Sequence, residues 1–229
     1  MRVLNSLKSE EIFMISKFYI FGDSICFGQH VSLHDTWAVR ISSYISTAIY
    51  PTCVVQNASI NGNTTDMAMI RFEQDILSHR PDFLMIQFGM NDCNYWETDG
   101  GKPRVEPVIF RSNLMKMVSD AVEHGVKHIF LNTNHPSRKG EFRHVPGLLY
   151  EDSNAFYNHI IRDVCKELLE LKFAISLIDI EKEFTRYLEL NKDLRLSDLL
   201  LQDGIHLSRR GHDFYYQVII RFLCKESVI

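Results

Sequence analysis

Residues 18–28 read FYIFGDSICFG, and the folding of this stretch decides the architecture of the rest. Phe18, Tyr19, Ile20 and Phe21 make a short aromatic and β-branched run without helical period, the pattern of a buried strand. Gly22 is expected to let the backbone turn sharply and to deliver Ser24 just past the strand's carboxyl end. In an open parallel α/β sheet that edge is where ligands bind. A serine placed there is either a nucleophile or the N-cap of a following helix.

Beyond this stretch, strand-like and helix-like segments alternate. A helix is expected over 34–48, a strand over 53–56, a helix over 65–79, and the clearest buried strand at 83–88, FLMIQF. Phe110, Leu114, Met117, Val118, Ala121 and Val122 keep helical spacing, and Gly125 ends that helix. HIFLN at 128–132 reads as a fourth strand, 157–171 as a helix and 175–178 as a fifth strand. A short helix around 181–190 precedes a closing helix that carries Phe214, Tyr215, Val218, Ile219, Phe222 and Leu223 on one face, with Ser208 as its N-cap. Five strands alternating with helices predict an α/β fold, a three-layer α/β/α sandwich around a five-stranded parallel sheet.

The chain has 229 residues, 45% of them hydrophobic, which is enough for one sizeable core. With no linker, repeat or low-complexity run, one domain is expected over 16–229, with 1–15 as a loosely packed N-terminal extension. Lys and Arg number 25 against 29 Asp and Glu, a net charge of −4, and no basic stripe stands out. Extensive phosphate binding is thereby disfavoured, and no nucleic-acid partner is expected. The five cysteines are scattered and form neither a CxxC pair nor a zinc spacing. Reduced thiols in a cytoplasmic protein are the expectation. Lys8, Glu10 and Glu11 interrupt the apolar core that a signal peptide would need. No stretch approaches the ~20 apolar residues of a membrane span.

Three strand ends run into loops of small or polar residues: Gly22-Asp23-Ser24, Asn61-Gly62-Asn63 and Gly89-Met90-Asn91-Asp92. In a parallel sheet all three emerge on one edge. Asp203 and His206 stand three residues apart before the final helix, so one turn can bring their side chains together. Acyl transfer by serine needs a base, a carboxylate to hold that base's tautomer, and donors where the oxyanion forms. Asp203 and His206 could also be a capping pair or half of a metal site. No third ligand has suitable spacing, so neither metal nor cofactor is expected.

Together GDS at 22–24, Gly62 within SINGNTT, GMND at 89–92 and DGIH at 203–206 resemble the SGNH/GDSL hydrolase family, in its motif order and over nearly the whole domain. The resemblance implies a flavodoxin-like three-layer fold and a serine esterase mechanism. It makes Ser24 the nucleophile, His206 the general base and Asp203 the group that orients His206. The oxyanion hole would be the Ser24 and Gly62 backbone N–H groups and the Asn91 side-chain amide. Asp23 and Asp92 would brace their loops. Met90 departs from the small or polar residue often seen at that position, which touches only pocket shape.

Two loops on the same edge are expected to define the substrate pocket. The loop over 93–107 offers Tyr95, Trp96 and Arg104, and the loop over 133–150 offers His135. A Trp and a Tyr beside polar side chains suit a sugar face, or else simply anchor a long loop. No broad apolar lid segment is evident, which tilts the expected substrate toward a short acyl group such as acetate on a carbohydrate or other polar alcohol. Three functions follow from these residues: an ester hydrolase, an O-acetyltransferase using the same groups, or a flavodoxin-like binding protein without chemistry.

Overall fold

The computed structural model describes residues 16–49 and 53–225, so the extension expected over 1–15 lies outside them. Five strands, β1 (Ser16–Gly22), β2 (Cys53–Asn57), β3 (Phe83–Gln87), β4 (His128–Asn132) and β5 (Ile175–Ile178), form one sheet. All pairings are parallel, in the order β2-β1-β3-β4-β5, as the sequence pattern predicts for an α/β sandwich. This is the flavodoxin-like order. Eight helices accompany the sheet among the described residues: α1 (Ser24–Phe27), α2 (Trp37–Tyr44), α3 (Thr65–Asp75), α4 (Pro107–Glu123), α5 (Tyr150–Glu170), α6 (Ile180–Leu190), α7 (Leu196–Leu199) and α8 (Arg209–Lys225). None is long and apolar enough to cross a membrane.

Right-handed crossovers distribute the helices. The chain moves one way across the sheet through α2, from β1 to β2, and the opposite way through α3, α4 and α5. That reversal puts α2 on one face and α3, α4 and α5 on the other. Accordingly α2 packs with α8, while α4 packs with both α3 and α5. With both faces covered, the central strands need apolar residues at every position rather than at alternate ones. Phe18, Ile20 and Phe21 of β1 and Leu84, Met85 and Ile86 of β3 are all buried. At the edge of the sheet, β2 leaves Val54 exposed.

Aromatic contacts tie the layers together. Phe18 stacks between Phe83 and Phe130, with centroids 6.2 and 6.0 Å away. Trp37 stacks on Tyr215 at 4.7 Å, joining α2 to α8, and its Nε1 donates to the Ile25 carbonyl at 2.9 Å. Truncating a ring of this kind to alanine typically costs about 3–5 kcal/mol.

The elements differ from the sequence expectation where polar residues do structural work. Helix α5 starts at Tyr150 rather than 157, because its first turns are held by hydrogen bonds. Tyr150 donates to the Met90 carbonyl at 2.5 Å and Ser153 to the Cys93 carbonyl at 2.8 Å, contacts that an apolar period does not register. The helix expected over 65–79 breaks at Ile76 into a 3₁₀ turn, Leu77–His79. Helix α7 is a single turn, too short to show periodicity.

Gly22 differs in its reason for being glycine. It is absent from the positive-φ glycines, so a left-handed turn does not explain it. A Cβ at this position would lie 2.6 Å from the Cys26 sulfur and 2.7 Å from the Gln87 backbone oxygen. The constraint is close approach of β1 to β3 and α1, and it rests on a backbone atom that cannot rotate away. Gly22→Ala is expected to destabilise the fold by about 1–3 kcal/mol, the usual range for overpacking. Thermal denaturation should show it as a fall of roughly 2–4 °C in Tm for each kcal/mol.

Candidate active site

Strand β1 lies between β2 and β3, where the direction of travel across the sheet reverses. The loops after β1 and β3 diverge there to opposite faces and leave a crevice at the carboxyl edge. Ser24 follows β1, Gly62 follows β2 and Asn91 follows β3, so the sheet order gathers the three loops that the sequence singles out.

At the end of β1, Asp23 is the N-cap of α1, and its Oδ1 accepts from the Ile25 N–H at 2.9 Å. The capping role that Ser24 could have filled therefore belongs to Asp23. Ser24 is the first helical residue, and its N–H is among the early donors for which an α-helix supplies no internal partner. Its Oγ lies 3.0 Å from His206 Nε2.

His206 Nδ1 in turn lies 2.6 Å from Asp203 Oδ2. Asp203 Oδ1 accepts from the Ile205 and His206 backbone N–H groups at 2.9 and 3.0 Å, which curls the DGIH segment around its own carboxylate. Partial burial would raise the Asp203 carboxyl, but hydrogen bonds from the His206 ring and the two N–H groups outweigh it and hold the pKa below its ordinary value. A carboxylate only accepts, so Nδ1 carries the ring proton and Nε2 turns its lone pair to the Ser24 hydroxyl.

The two other carboxyls brace the site, as expected. Asn91 Nδ2 donates to Asp23 Oδ2 at 3.3 Å, linking the loop after β3 to the cap of α1. Asp92 Oδ1 accepts from Thr65 N at 2.8 Å and Thr65 Oγ1 at 2.5 Å, which pins that loop to the start of α3. Burial drives both carboxyls upward, Asp23 to about 7 and Asp92 to about 6. Gly62 has φ 75, and a Cβ there would meet nothing within 4 Å. Its requirement is thus backbone conformation, not space.

The residues expected at the substrate separate into two groups. Trp96 is 49% exposed, with the Arg104 guanidinium stacked 3.8 Å from its ring centroid. Arg104 also donates to the Gly62 carbonyl at 3.2 Å, so the pair adjoins the Gly62 loop. Tyr95 instead packs its half-buried ring against Phe142 at 4.8 Å and anchors the loop. His135 is wholly buried rather than facing a pocket, and its Nε2 lies 2.7 Å from the Ile205 carbonyl. Burial pushes its pKa down to about 4, so the neutral ring donates to that carbonyl and supports the DGIH turn. Of the four residues named for substrate contact, the structure leaves Trp96 and Arg104 accessible at the site; Tyr95 and His135 hold its walls.

Two features escaped the sequence reading. A buried amide chain backs the α1 turn that carries Ser24: Cys26 donates to Gln87 at 3.1 Å, Gln87 to Asn134 Oδ1 at 2.7 Å, and Asn158 to the Asn134 carbonyl at 3.0 Å. The polar Gln87 ending an otherwise apolar strand was its one visible signal. His30 also reaches the site, with its ring 5.2 Å from that of His206. It supplies the third donor that spacing alone did not offer beside Asp203 and His206. Nothing in local spacing could have placed it.

The Asp23 carboxyl has a consequence for stability. Below the ordinary carboxylate range both the folded and unfolded chains hold its proton. From there up to about pH 7 only the folded chain does, so stability falls as pH rises through that window. The slope is at most about 1.4 kcal/mol per pH unit. Asp23→Asn keeps a capping side chain and removes the proton, and is expected to flatten the fall. Urea denaturation of both proteins at pH 4.5 and 7.5 measures it; equal slopes would count against a protonated Asp23.

The model of the GDSL-like lipase/acylhydrolase family matches residues 20–214. An uncharacterized lipoprotein of Bacillus subtilis (strain 168), YqeF, is 30% identical over 219 residues, covering 87% of this chain and 86% of its own. An arylesterase of Vibrio mimicus is 26% identical over 125 residues, 55% of this chain and 58% of its own. Among solved structures, the acetyl xylan esterase AlAXEase superposes with a TM-score of 0.73 at 22% identity, covering 90% of this chain and 99% of that one. Axe2, an acetylxylan esterase from Geobacillus stearothermophilus, gives 0.70 at 22% identity, covering 90% and 93%. At such identities the structural likeness shows a shared fold. The family match runs from within β1 through Ser24 to beyond the turn that holds Asp203 and His206: the chain belongs to the GDSL-like lipase/acylhydrolase family and is a carboxylic ester hydrolase.

Proposed function

We propose that the chain hydrolyses short-acyl esters, acetyl esters above all, of a carbohydrate or similar polar alcohol through an acyl-serine intermediate. The observation that carries this reading is the unbroken relay Asp203–His206–Ser24, with contacts of 2.6 and 3.0 Å. Ser24 Oγ attacks the ester carbonyl carbon as His206 Nε2 takes the hydroxyl proton. The negative oxygen is held by the Ser24 and Gly62 N–H groups and the Asn91 amide. Collapse expels the alcohol, which takes the proton back from His206. Water, deprotonated by His206 in its turn, then attacks the acyl carbonyl and frees Ser24.

The choice of a sugar-like alcohol is supported by the Trp96–Arg104 pair beside Gly62, an apolar face edged with hydrogen-bond donors. The acetylxylan esterases of the same fold, Axe2 and AlAXEase, act on esters of that kind. The short acyl group is supported by the sequence, which offers no broad apolar lid segment.

Asn91→Ala is expected to lower kcat by about 10²–10³, roughly 3 kcal/mol, the usual cost of one oxyanion donor, with KM little changed. Turnover equal to wild type would remove Asn91 from the oxyanion hole. A chromogenic acetate ester assay on wild type and Ser24→Ala, with and without an added sugar acceptor, tests the reaction itself. Hydrolysis lost in Ser24→Ala supports the proposal. Product forming mainly on the acceptor would make the enzyme an O-acetyltransferase, and a preference for long-chain over acetyl esters would overturn the short-acyl assignment.

A further inference from the structure

His30 lies beyond α1, in a short segment that leads from the nucleophile to α2. Its φ is 70, in the left-handed region that costs a side-chain-bearing residue free energy. Local geometry thus holds it in place at a cost, and its ring is exposed at the edge of the catalytic relay. The ring meets His206 edge to face, with planes 88° apart. The Gln29 side-chain amide lies 2.9 Å from His30 Nε2, where an NH₂ group donates to a ring lone pair. One donor atom each from His30, Asp203 and His206 falls within 4.8 Å of the other two.

We propose that His30, Asp203 and His206 form a binding site for a divalent transition metal ion, with Zn²⁺ the best match, and that its occupancy switches the hydrolytic centre off. Two imidazole nitrogens and one carboxylate oxygen are a donor set suited to Zn²⁺, which takes such ligands at about 2.0–2.2 Å and leaves a fourth position to water. Mg²⁺ and Ca²⁺ prefer six or more oxygen ligands and are poorly served here. Donors around a tetrahedral Zn²⁺ sit about 3.3 Å apart at those bond lengths, so small side-chain rotations close the present spacing onto the ion.

Inhibition follows from how His206 is already used. Its Nε2 faces Ser24 and its Nδ1 faces Asp203, so neither nitrogen is spare. A metal on Nε2 displaces the Ser24 hydroxyl, and a metal on Nδ1 displaces the carboxylate that fixes the tautomer. Either way the ring can no longer take the serine proton. The binding half of this proposal stands on geometry alone; the inhibition half rests on the acyl-serine reading.

The test is calorimetric titration of the full chain with ZnCl₂, alongside hydrolysis of a chromogenic acetate ester at the same Zn²⁺ concentrations. His30→Asn is the informative variant, because asparagine tolerates the left-handed backbone and removes the imidazole. Its metal-free hydrolysis is the baseline against which its inhibition by Zn²⁺ is read. Its Zn²⁺ affinity and the midpoint of Zn²⁺ inhibition should both weaken by about tenfold or more, the scale on which metal sites lose affinity when a supporting residue goes. A chelator should restore wild-type activity, and Mg²⁺ should not inhibit. Equal Zn²⁺ affinity in wild type and variant, or no binding to wild type, would overturn the site. A metal-free wild type without esterase activity that still binds Zn²⁺ through His30 would count against the acyl-serine reading and support the metal site.

Discussion

The close approach of β1 and β3 at their carboxyl ends is the constraint on which the site depends. Gly22 pairs with Gln87 in the parallel register, and glycine alone fits there because a Cβ would run into the Gln87 backbone oxygen. The two loops that follow therefore start from adjacent positions before they diverge to opposite faces. Asp23 exploits that proximity, capping α1 with one oxygen and taking the Asn91 amide on the other. Ser24 and Asn91 are thereby related through one buried carboxyl instead of two independent loops. The buried run Cys26–Gln87–Asn134 closes the same junction from behind.

Three aspartates near the site show how environment assigns work to one side chain type. Asp23 and Asp92 have no exposure, and burial pushes their carboxyls to about 7 and about 6. They serve as acceptors for backbone and side-chain donors that shape the loops. Asp203 keeps contact with solvent and takes three hydrogen bonds, so it stays ionised and can hold His206. The DGIH turn needs support in its turn, since it belongs to no regular element. His135 gives it by donating to the Ile205 carbonyl, and the Arg138 N–H by donating to the Gly204 carbonyl at 2.7 Å. A histidine that looks like a ligand contact in the sequence is, in the fold, part of the wall that steadies the general base proposed here.

Much of the architecture was legible because the β strands announce themselves. FYIF, FLMIQF and HIFLN are short apolar runs bounded by glycine, proline or polar residues, and in the folded chain they occupy the covered centre of the sheet. Legibility failed where hydrogen bonds replace burial. The start of α5 is held by hydrogen bonds from Tyr150, Ser153, Asn154 and Asn158 to loop carbonyls, and α7 is a single turn of four residues, too short to show a repeat. Tyr95 and Trp96 are neighbours of similar character, yet one packs against Phe142 and the other projects with Arg104. Composition could not divide them, since the difference lies in which residues the loop folds onto.

By itself the sequence determined the alternation of strands and helices, the parallel sense of the sheet, and the pairing of Asp203 with His206. These are short-range properties: apolar period, turn chemistry and a three-residue spacing act within a few residues of one another. The order β2-β1-β3-β4-β5, the meeting of Ser24 with His206, the burial of His135 and the arrival of His30 were decided only by the tertiary structure. Each of these depends on packing between segments remote in the chain. Asp23 takes the cap of α1 locally, but Ser24 faces an imidazole only because the last helix packs on α2 and the DGIH turn before it reaches the edge of the sheet.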